Sequence, residues 1–417
     1  MNAALPQFVP ATPWILPFVA LLLSIAVLPL AAGHFWESNL RKLGVSGILG
    51  LPVVWLYVGG NAHALQHAAL DYTSFMILLG SLFVITGGIF LEGDLRATPR
   101  TNTSFLAGGA VLASLIGTTG ASMLLVRPLL QTNRERKHVR HTVIFFIFLV
   151  SNVGGCLTPL GDPPLFLGYL AGVPFVWTLR LAPAWLQTCG LLLAVYFFWD
   201  RREYRHESRE DLLRDRLEVR PLRLAGRENI GLLLVVVASV ALLNAPYREC
   251  AMLAAAIASY AITQRELRQA NRFSFAPLLE VGALFAGIFA TMLPALDILR
   301  AHGSALGVRE PWHYFWSTGM LSSFLDNAPT YLTFLALAQG QGLPHQVVGV
   351  SNDVLVAISL GAVFMGANSY IGNGPNFMVR SIAEERGVAM PSFGGYMLYS
   401  GAVLLPIFAV VTLVFFR

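Results

Sequence analysis

The 417-residue chain is 55% hydrophobic and only 12% charged, with a mean hydropathy of +0.63; soluble domains carry about 25% charged residues, so a soluble globular domain is excluded. The net charge of +5 is no nucleic-acid signal, because the basic residues sit in a few short loops, as cytoplasmic loops of membrane proteins do. Apolar runs of about 17–23 residues recur along the whole length, enough to cross a ~30 Å hydrocarbon core, and the short alternating segments of a membrane barrel are missing. These features predict an all-α polytopic membrane protein.

In chain order, the N-terminal stretch MNAALPQFVPATPW contains no Lys or Arg. It lacks the charged region of a signal peptide, and the first span is expected to be retained. Full crossings are expected at 13–33, 44–60, 72–91, 141–172, 181–199, 228–244, 249–263, 277–299, 352–383 and 394–416. Stretches 104–130 and 312–338 have Gly, Asp, Asn or Pro near their centres. Each leg is then only ~12 residues, or ~18 Å of helix, too short to cross. Re-entrant hairpins dipping to mid-membrane fit better, with their tips buried in protein or lining a cavity.

Loop charges orient these segments. Loops 131–140, 201–227 and 264–272 are basic, whereas 61–71 and 339–351 hold no Lys or Arg. With hairpins at both stretches, all the basic loops fall on one side, which predicts periplasmic termini in a bacterial inner membrane. The two hairpins then open to opposite sides. An inverted-topology repeat follows: an N-terminal span and loop (1–43), copy one (44–199), a cytoplasmic basic linker (200–227) and copy two (228–417). Three matches support the duplication: ITGGIF (85–90) with LFAGIF (284–289), Thr119-Gly-Ala-Ser with Asp326-Asn-Ala-Pro, and Gly161-Asp-Pro-Pro-Leu-Phe with Gly372-Asn-Gly-Pro-Asn-Phe. Their offsets are 199, 207 and 211.

The chemistry concentrates where the crossings break. Within 141–172, an apolar run gives way to Ser151, Asn152, Gly154, Gly155, Thr158, Pro159, Gly161, Asp162, Pro163 and Pro164. Consecutive prolines and three glycines cannot continue a helix without losing backbone bonds. The freed carbonyls and amides are costly in lipid unless something binds them. A partly dehydrated cation held by carbonyls, hydroxyls, amide oxygens and a carboxylate would satisfy them, since hard cations prefer oxygen. The second break offers Asn368, Ser369, Gly372, Asn373, Gly374, Pro375 and Asn376 without an acid; the hairpin tips add Thr118, Thr119 and Ser122 in copy one, and Ser322, Ser323, Asp326, Asn327 and Thr330 in copy two. Asp162 and Asp326 are each the deep acid of their half and are expected to share one central cavity. The plainer readings are that Asp162 or Asp326 only caps a helix, with Pro163 at the first helical position after Asp162, and that the breaks are packing kinks. Arg127 and Arg380 are expected to snorkel. Glu92, Asp94, Glu280 and Asp297 lie near span ends, where solvated or capping roles dominate, and His63 and His67 are read into a short periplasmic loop. The three cysteines show no metal spacing; no cofactor and no transition metal are expected.

Two copies, each a hairpin followed by a broken helix with a Ser-Asn or Asn-Ser element, resemble the ion transporter superfamily. Its members include sodium–dicarboxylate and citrate carriers, arsenite permeases and NhaD-type sodium/proton antiporters. SNVGGCLTPLGDPP (151–164) and LDNAPT (325–330) are similar to motifs of the NhaD-type and citrate carriers, and ITGGIFLEGDLRATP (85–99) to the citrate-transporter branch. The resemblance implies a homodimer whose protomers each have a scaffold and a moving transport domain. The leading expectation is a Na⁺/H⁺ antiporter working by alternating access. A carboxyl group out of water holds its proton more tightly, so H⁺ and Na⁺ compete at Asp162 and Asp326. Neutral ligands or supports are expected from Ser151, Asn152, Thr158, Ser323, Asn327, Asn368, Ser369 and Asn373. The alternative is Na⁺- or H⁺-coupled transport of citrate or a dicarboxylate facing the helix N-termini at Pro163 and Pro375. A membrane-embedded enzyme is not expected, because neither a metal-binding HExxH nor a nucleophile elbow occurs.

Overall fold

A computed structural model describes residues 8–341 and 347–417. The chain is almost wholly helical. The first half runs α1 (Leu16–Ala31), the single turn α2 (Gly33–Trp36), α3 (Asn39–Gly60), α4 (Ala62–Thr86), β1 (Phe90–Asp94), α5 (Pro99–Ile116), α6 (Thr118–Thr132), α7 (Arg140–Leu149), α8 (Pro163–Leu170) and α9 (Ala182–Tyr204). After α10 (Arg209–Leu217) and β2 (Arg220–Ala225), the second half runs α11 (Glu228–Leu242), α12 (Tyr247–Ile262), α13 (Arg265–Ala270), α14 (Ala276–His302), α15 (Pro311–Phe324), α16 (Asn327–Gln339), α17 (Asn352–Met365), α18 (Gly374–Glu385) and α19 (Phe393–Phe415). Six helical stretches are long and apolar enough to cross a membrane: Thr12–Pro29, Asn39–Gly60, Ala62–Thr86, Phe175–Tyr204, Ala276–Leu306 and Phe393–Phe415. Shorter apolar helices lie at Arg140–Cys156, Glu228–Leu242 and Asn352–Asn368. The protein is an integral membrane protein with a helical body.

One order of elements occurs twice: three long helices, a helix pair joined by a tight turn, a helix that breaks and restarts, and a closing helix. In this order α1 takes the place in the first half that α11 takes in the second. The pairs α5–α6 and α15–α16 fall on the expected stretches 104–130 and 312–338. Their legs are longer than ~12 residues, at 18, 15, 14 and 13, because the outer ends start early. Thr98 caps α5 by accepting from Thr101 N, and Glu310 forms a capping box with His313 at the start of α15.

Several boundaries differ from the sequence reading. Residues 62–71 are the first turns of α4 and not a loop, because Asn61 caps the helix by accepting from Ala64 N; His63 and His67 therefore lie on a helix. ITGGIF closes α4 and leads into β1, whereas LFAGIF lies inside α14, so this pair is not equivalent in the fold. The linker 200–227 is folded. Its β2 pairs antiparallel with β1, Phe90 opposite Ala225 and Glu92 opposite Arg223, and Asp215 on α10 accepts from Ala97 N at 2.9 Å. This two-stranded sheet is a departure from an all-helical chain. Part of the uncharged loop 339–351 lies outside the described residues.

Helices α3, α4, α11, α12 and α14 pack on one another, while the hairpins and broken helices interdigitate through α5–α6, α8–α16, α6–α18 and α15–α17. Side chains of α7 and α17 are buried along nearly their whole length. Helices buried all round read as continuous apolar runs, and in their centres the sequence breaks.

Candidate ion-binding site at the two helix breaks

The first break leaves α7 at Leu149, makes one 3-10 turn at Val153–Cys156 and restarts at Pro163. The second leaves α17 at Met365, turns at Gly366–Asn368 and restarts at Gly374. Each break folds back on itself so tightly that a side chain cannot fit. A Cβ on Gly161 would lie 2.1 Å from Gly155 O, and one on Gly372 would lie 2.6 Å from Gly366 O. The two residues that precede the restarts share one conformation, Asp162 at φ −146°, ψ 142° and Asn373 at φ −152°, ψ 140°.

Each break is stitched to its own hairpin by the same bonds. In the first half Ser114 Oγ donates to Gly154 O at 2.5 Å, and Thr158 Oγ1 donates to Ser114 O at 2.5 Å. In the second, Ser323 Oγ donates to Met365 O at 3.2 Å, and Ser369 Oγ donates to Ser323 O at 2.5 Å. Ser114 Oγ also accepts from Leu157 N, and Ser323 Oγ from Asn368 Nδ2. The hairpin partners are 209 positions apart and the break partners 211. By this register Gly117, which precedes α6, answers to Asp326, which precedes α16; the motif match pairing Thr119 with Asp326 is two residues out. Ser114 was not singled out from sequence, although it lies one helical turn before the tip residue Thr118.

Asp162 sits where these elements converge. It is 1% exposed and occupies the N-cap position of α8, yet its side chain makes no capping bond. Its carboxylate turns inward instead. Oδ1 accepts from Thr118 Oγ1 at 2.7 Å and Asn373 Nδ2 at 3.0 Å, and Oδ2 accepts from Asn327 Nδ2 at 2.6 Å. Thr118 and Asn327 open α6 and α16, and Asn373 precedes α18. The N-terminal ends of α6, α8, α16 and α18 therefore meet around one carboxylate, and their partial positive charges favour an anion. Pro163 and Pro375 lie in the first turns of α8 and α18, where a missing N–H costs nothing.

Asp326 behaves differently. Its Oδ1 caps α16 by accepting from Ala328 N at 2.9 Å, and its carboxylate makes no hydrogen bond to the Asp162 group among the described residues. It stands next to Asn327, which does.

A second feature lies at the breaks and the second hairpin tip. The amide oxygens of Asn152, Asn327 and Asn368 are buried and have no hydrogen-bond partner among the described residues. Their orientation follows from their NH₂ groups. Asn376 donates to Gly366 O and Ser369 O, both at 2.9 Å, which turns its Oδ1 toward Asn152. Asn152 Nδ2 then donates to that oxygen at 2.7 Å and to Ile147 O at 2.8 Å, leaving Asn152 Oδ1 free. A Cβ on Gly366 would lie 3.1 Å from Asn152 Oδ1 and 3.6 Å from Asn327 Nδ2, so these two amides abut the same spot. Ser151 is tied to the site through its carbonyl, which accepts from Asn373 Nδ2 at 3.0 Å; its hydroxyl meets Ser122 Oγ at 2.8 Å. Thr158 and Ser369 spend their hydroxyls on the stitches. No Lys, Arg or His bonds to Asp162 among the described residues.

A cavity of about 40 Å³ lies between α4 and the first break, walled by Phe75, Leu82 and Phe83 of α4, Thr118 and Thr119 of α6, and Leu160 and Asp162 of the break. A few waters fill such a space.

A family model described as "Putative citrate transport" matches residues 9–416. The chain belongs to this citrate transport family. No curated protein matches it. As a member of this family with a helical membrane body, the protein is a secondary transporter.

Proposed function

We propose that this citrate transport family member exchanges Na⁺ for H⁺ across a bacterial inner membrane, with both ions competing for Asp162. The observation that carries the reading is a buried carboxylate bonded to Asn327, whose own amide oxygen and that of the abutting Asn152 are buried without a hydrogen-bond partner among the described residues. Carboxylate and neutral oxygens with no cation nearby suit a small hard cation. The same carboxylate accepts a proton when the metal leaves, so one site gives exchange by mutual exclusion.

Under this reading α5–α6 and α15–α16 are re-entrant hairpins entering from opposite sides, the halves are inverted repeats, the termini are periplasmic and the transporter is a homodimer. The doubled bonding pattern supports the duplication, and alternating access follows from it.

The second reading, cation-coupled citrate uptake, is favoured by the family description and by the four helix N-termini around Asp162, which suit a carboxylate. Reconstituted liposomes separate the two. Addition of Na⁺ to proteoliposomes with a preset pH gradient collapses that gradient if the protein is an antiporter. Na⁺-dependent uptake of labelled citrate with no cation-driven proton movement overturns the antiport.

A further inference from the structure

The segment between the two halves sorts its charges by direction, and its acids turn toward the protein body. On α10, Asp211 and Asp215 lie one turn apart. Asp211 pairs with Lys137 at 3.3 Å, and buried Asp215 accepts from Ala97 N at 2.9 Å. Glu207 accepts from Lys137 N at 3.0 Å and His138 N at 2.9 Å, and Glu218 pairs with Arg134. The opposite face of α10 carries Arg209, Leu213, Arg216 and Leu217, spaced i, i+4, i+7 and i+8. All four are exposed, Leu213 at 55% and Leu217 at 84%. Glu210 is taken by Arg214, and neither Arg209 nor Arg216 has an ion-pair partner among the described residues. Past the helix, Arg220 and Leu222 of β2 are exposed as well.

The position of this face decides what covers it. The segment starts where the crossing-length stretch Phe175–Tyr204 ends and runs into α11. Its β2 pairs with β1, which follows the end of the crossing-length α4 at Thr86. Membrane helices end at the level of the lipid headgroups, so α10 and β2 lie there. A leucine as open as Leu217 is unfavourable in water, and two arginines beside it lack an acid. Headgroups supply an apolar boundary and negative charge together, and long basic side chains span that boundary with their stems inward.

We propose that the outer face of α10 docks on anionic phospholipid headgroups of the surrounding bilayer, with Arg209 and Arg216 on the phosphates and Leu213 and Leu217 at the acyl boundary. The contact stands on its own residues and is independent of the Na⁺/H⁺ reading.

The test measures protection and not transport, so it succeeds or fails separately from the antiport. Full-length protein is placed in nanodiscs of phosphatidylcholine alone, or of equimolar phosphatidylcholine and phosphatidylglycerol, and amide hydrogen exchange is followed over 209–222. In wild type these amides exchange about tenfold more slowly with phosphatidylglycerol, and added salt removes the difference. The double variant Arg209→Gln, Arg216→Gln changes only exposed positions, so it keeps the wild-type melting temperature and loses the difference. Leu217→Ser keeps both charges and reduces it. Equal exchange of 209–222 in the two lipids overturns the docking. So does a full difference in the double variant, or a slowing shared alike by every loop of the protein.

Discussion

Asn327 donates to Asp162 across 165 positions of chain, Nδ2 to Oδ2 at 2.6 Å. This bond joins the tip of the second hairpin to the break of the first half, so neither half holds the candidate site alone. Removal of either partner is expected to impair exchange, to different degrees. Asp162→Asn abolishes Na⁺-driven proton movement in proteoliposomes while the purified protein keeps its melting temperature within a few degrees. Asn327→Ala raises the Na⁺ concentration for half-maximal exchange about tenfold or more, since a hydrogen bond to a charged group contributes about 1.5–3 kcal/mol. Full exchange by Asp162→Asn would remove the site assignment.

Asp326 offers a sharper test, because its carboxylate is committed to the α16 cap. Asparagine caps as well as aspartate does, and alanine costs about 1 kcal/mol. Asp326→Asn is therefore expected to exchange within a few-fold of wild type, while Asp326→Ala melts earlier. An inactive but stably folded Asp326→Asn makes this residue a second ion ligand.

Asn376 touches no carboxylate and acts through Asn152. Asn376→Ala frees Asn152 to rotate and is expected to weaken Na⁺ about tenfold without changing how exchange varies with pH. A shifted pH profile would show that Asn376 acts on the proton and not on the metal.

Competition at one carboxylate fixes the sign of the pH effect. Protons occupy Asp162 as pH falls, so the Na⁺ concentration for half-maximal exchange rises, approaching about tenfold per pH unit at the acid limit. Fluorescence-quench titrations between pH 6 and pH 9, a range of about three units, read this slope directly. A slope of zero means that H⁺ and Na⁺ use different groups.

The folded-back breaks predict a stark contrast between two glycines. Gly161→Ala places a Cβ against Gly155 O, whereas nothing lies within 4 Å of a Cβ on Gly374. Overpacking costs about 1–3 kcal/mol and more where backbone must move, so Gly161→Ala is expected to melt several degrees earlier or fail to accumulate. Gly374→Ala melts with the wild type. Equal melting of both variants would mean that the breaks are open.

Composition, apolar runs and paired Gly/Pro interruptions were enough to reveal a helical membrane transporter with two helix pairs and two breaks, because lipid forces backbone groups to be satisfied within each segment and so writes spans into the sequence. Residues 62–71 and the β1–β2 strap escaped, since an Asn cap and a short strand paired with a charged linker leave no apolar signature. Which side chains meet was beyond any local signal. The sequence marked Asp162 and Asp326 as equals, yet only the folded chain turns one onto Thr118, Asn327 and Asn373 and the other onto its own helix. That choice depends on contacts between residues more than a hundred positions apart, which packing decides and spacing does not.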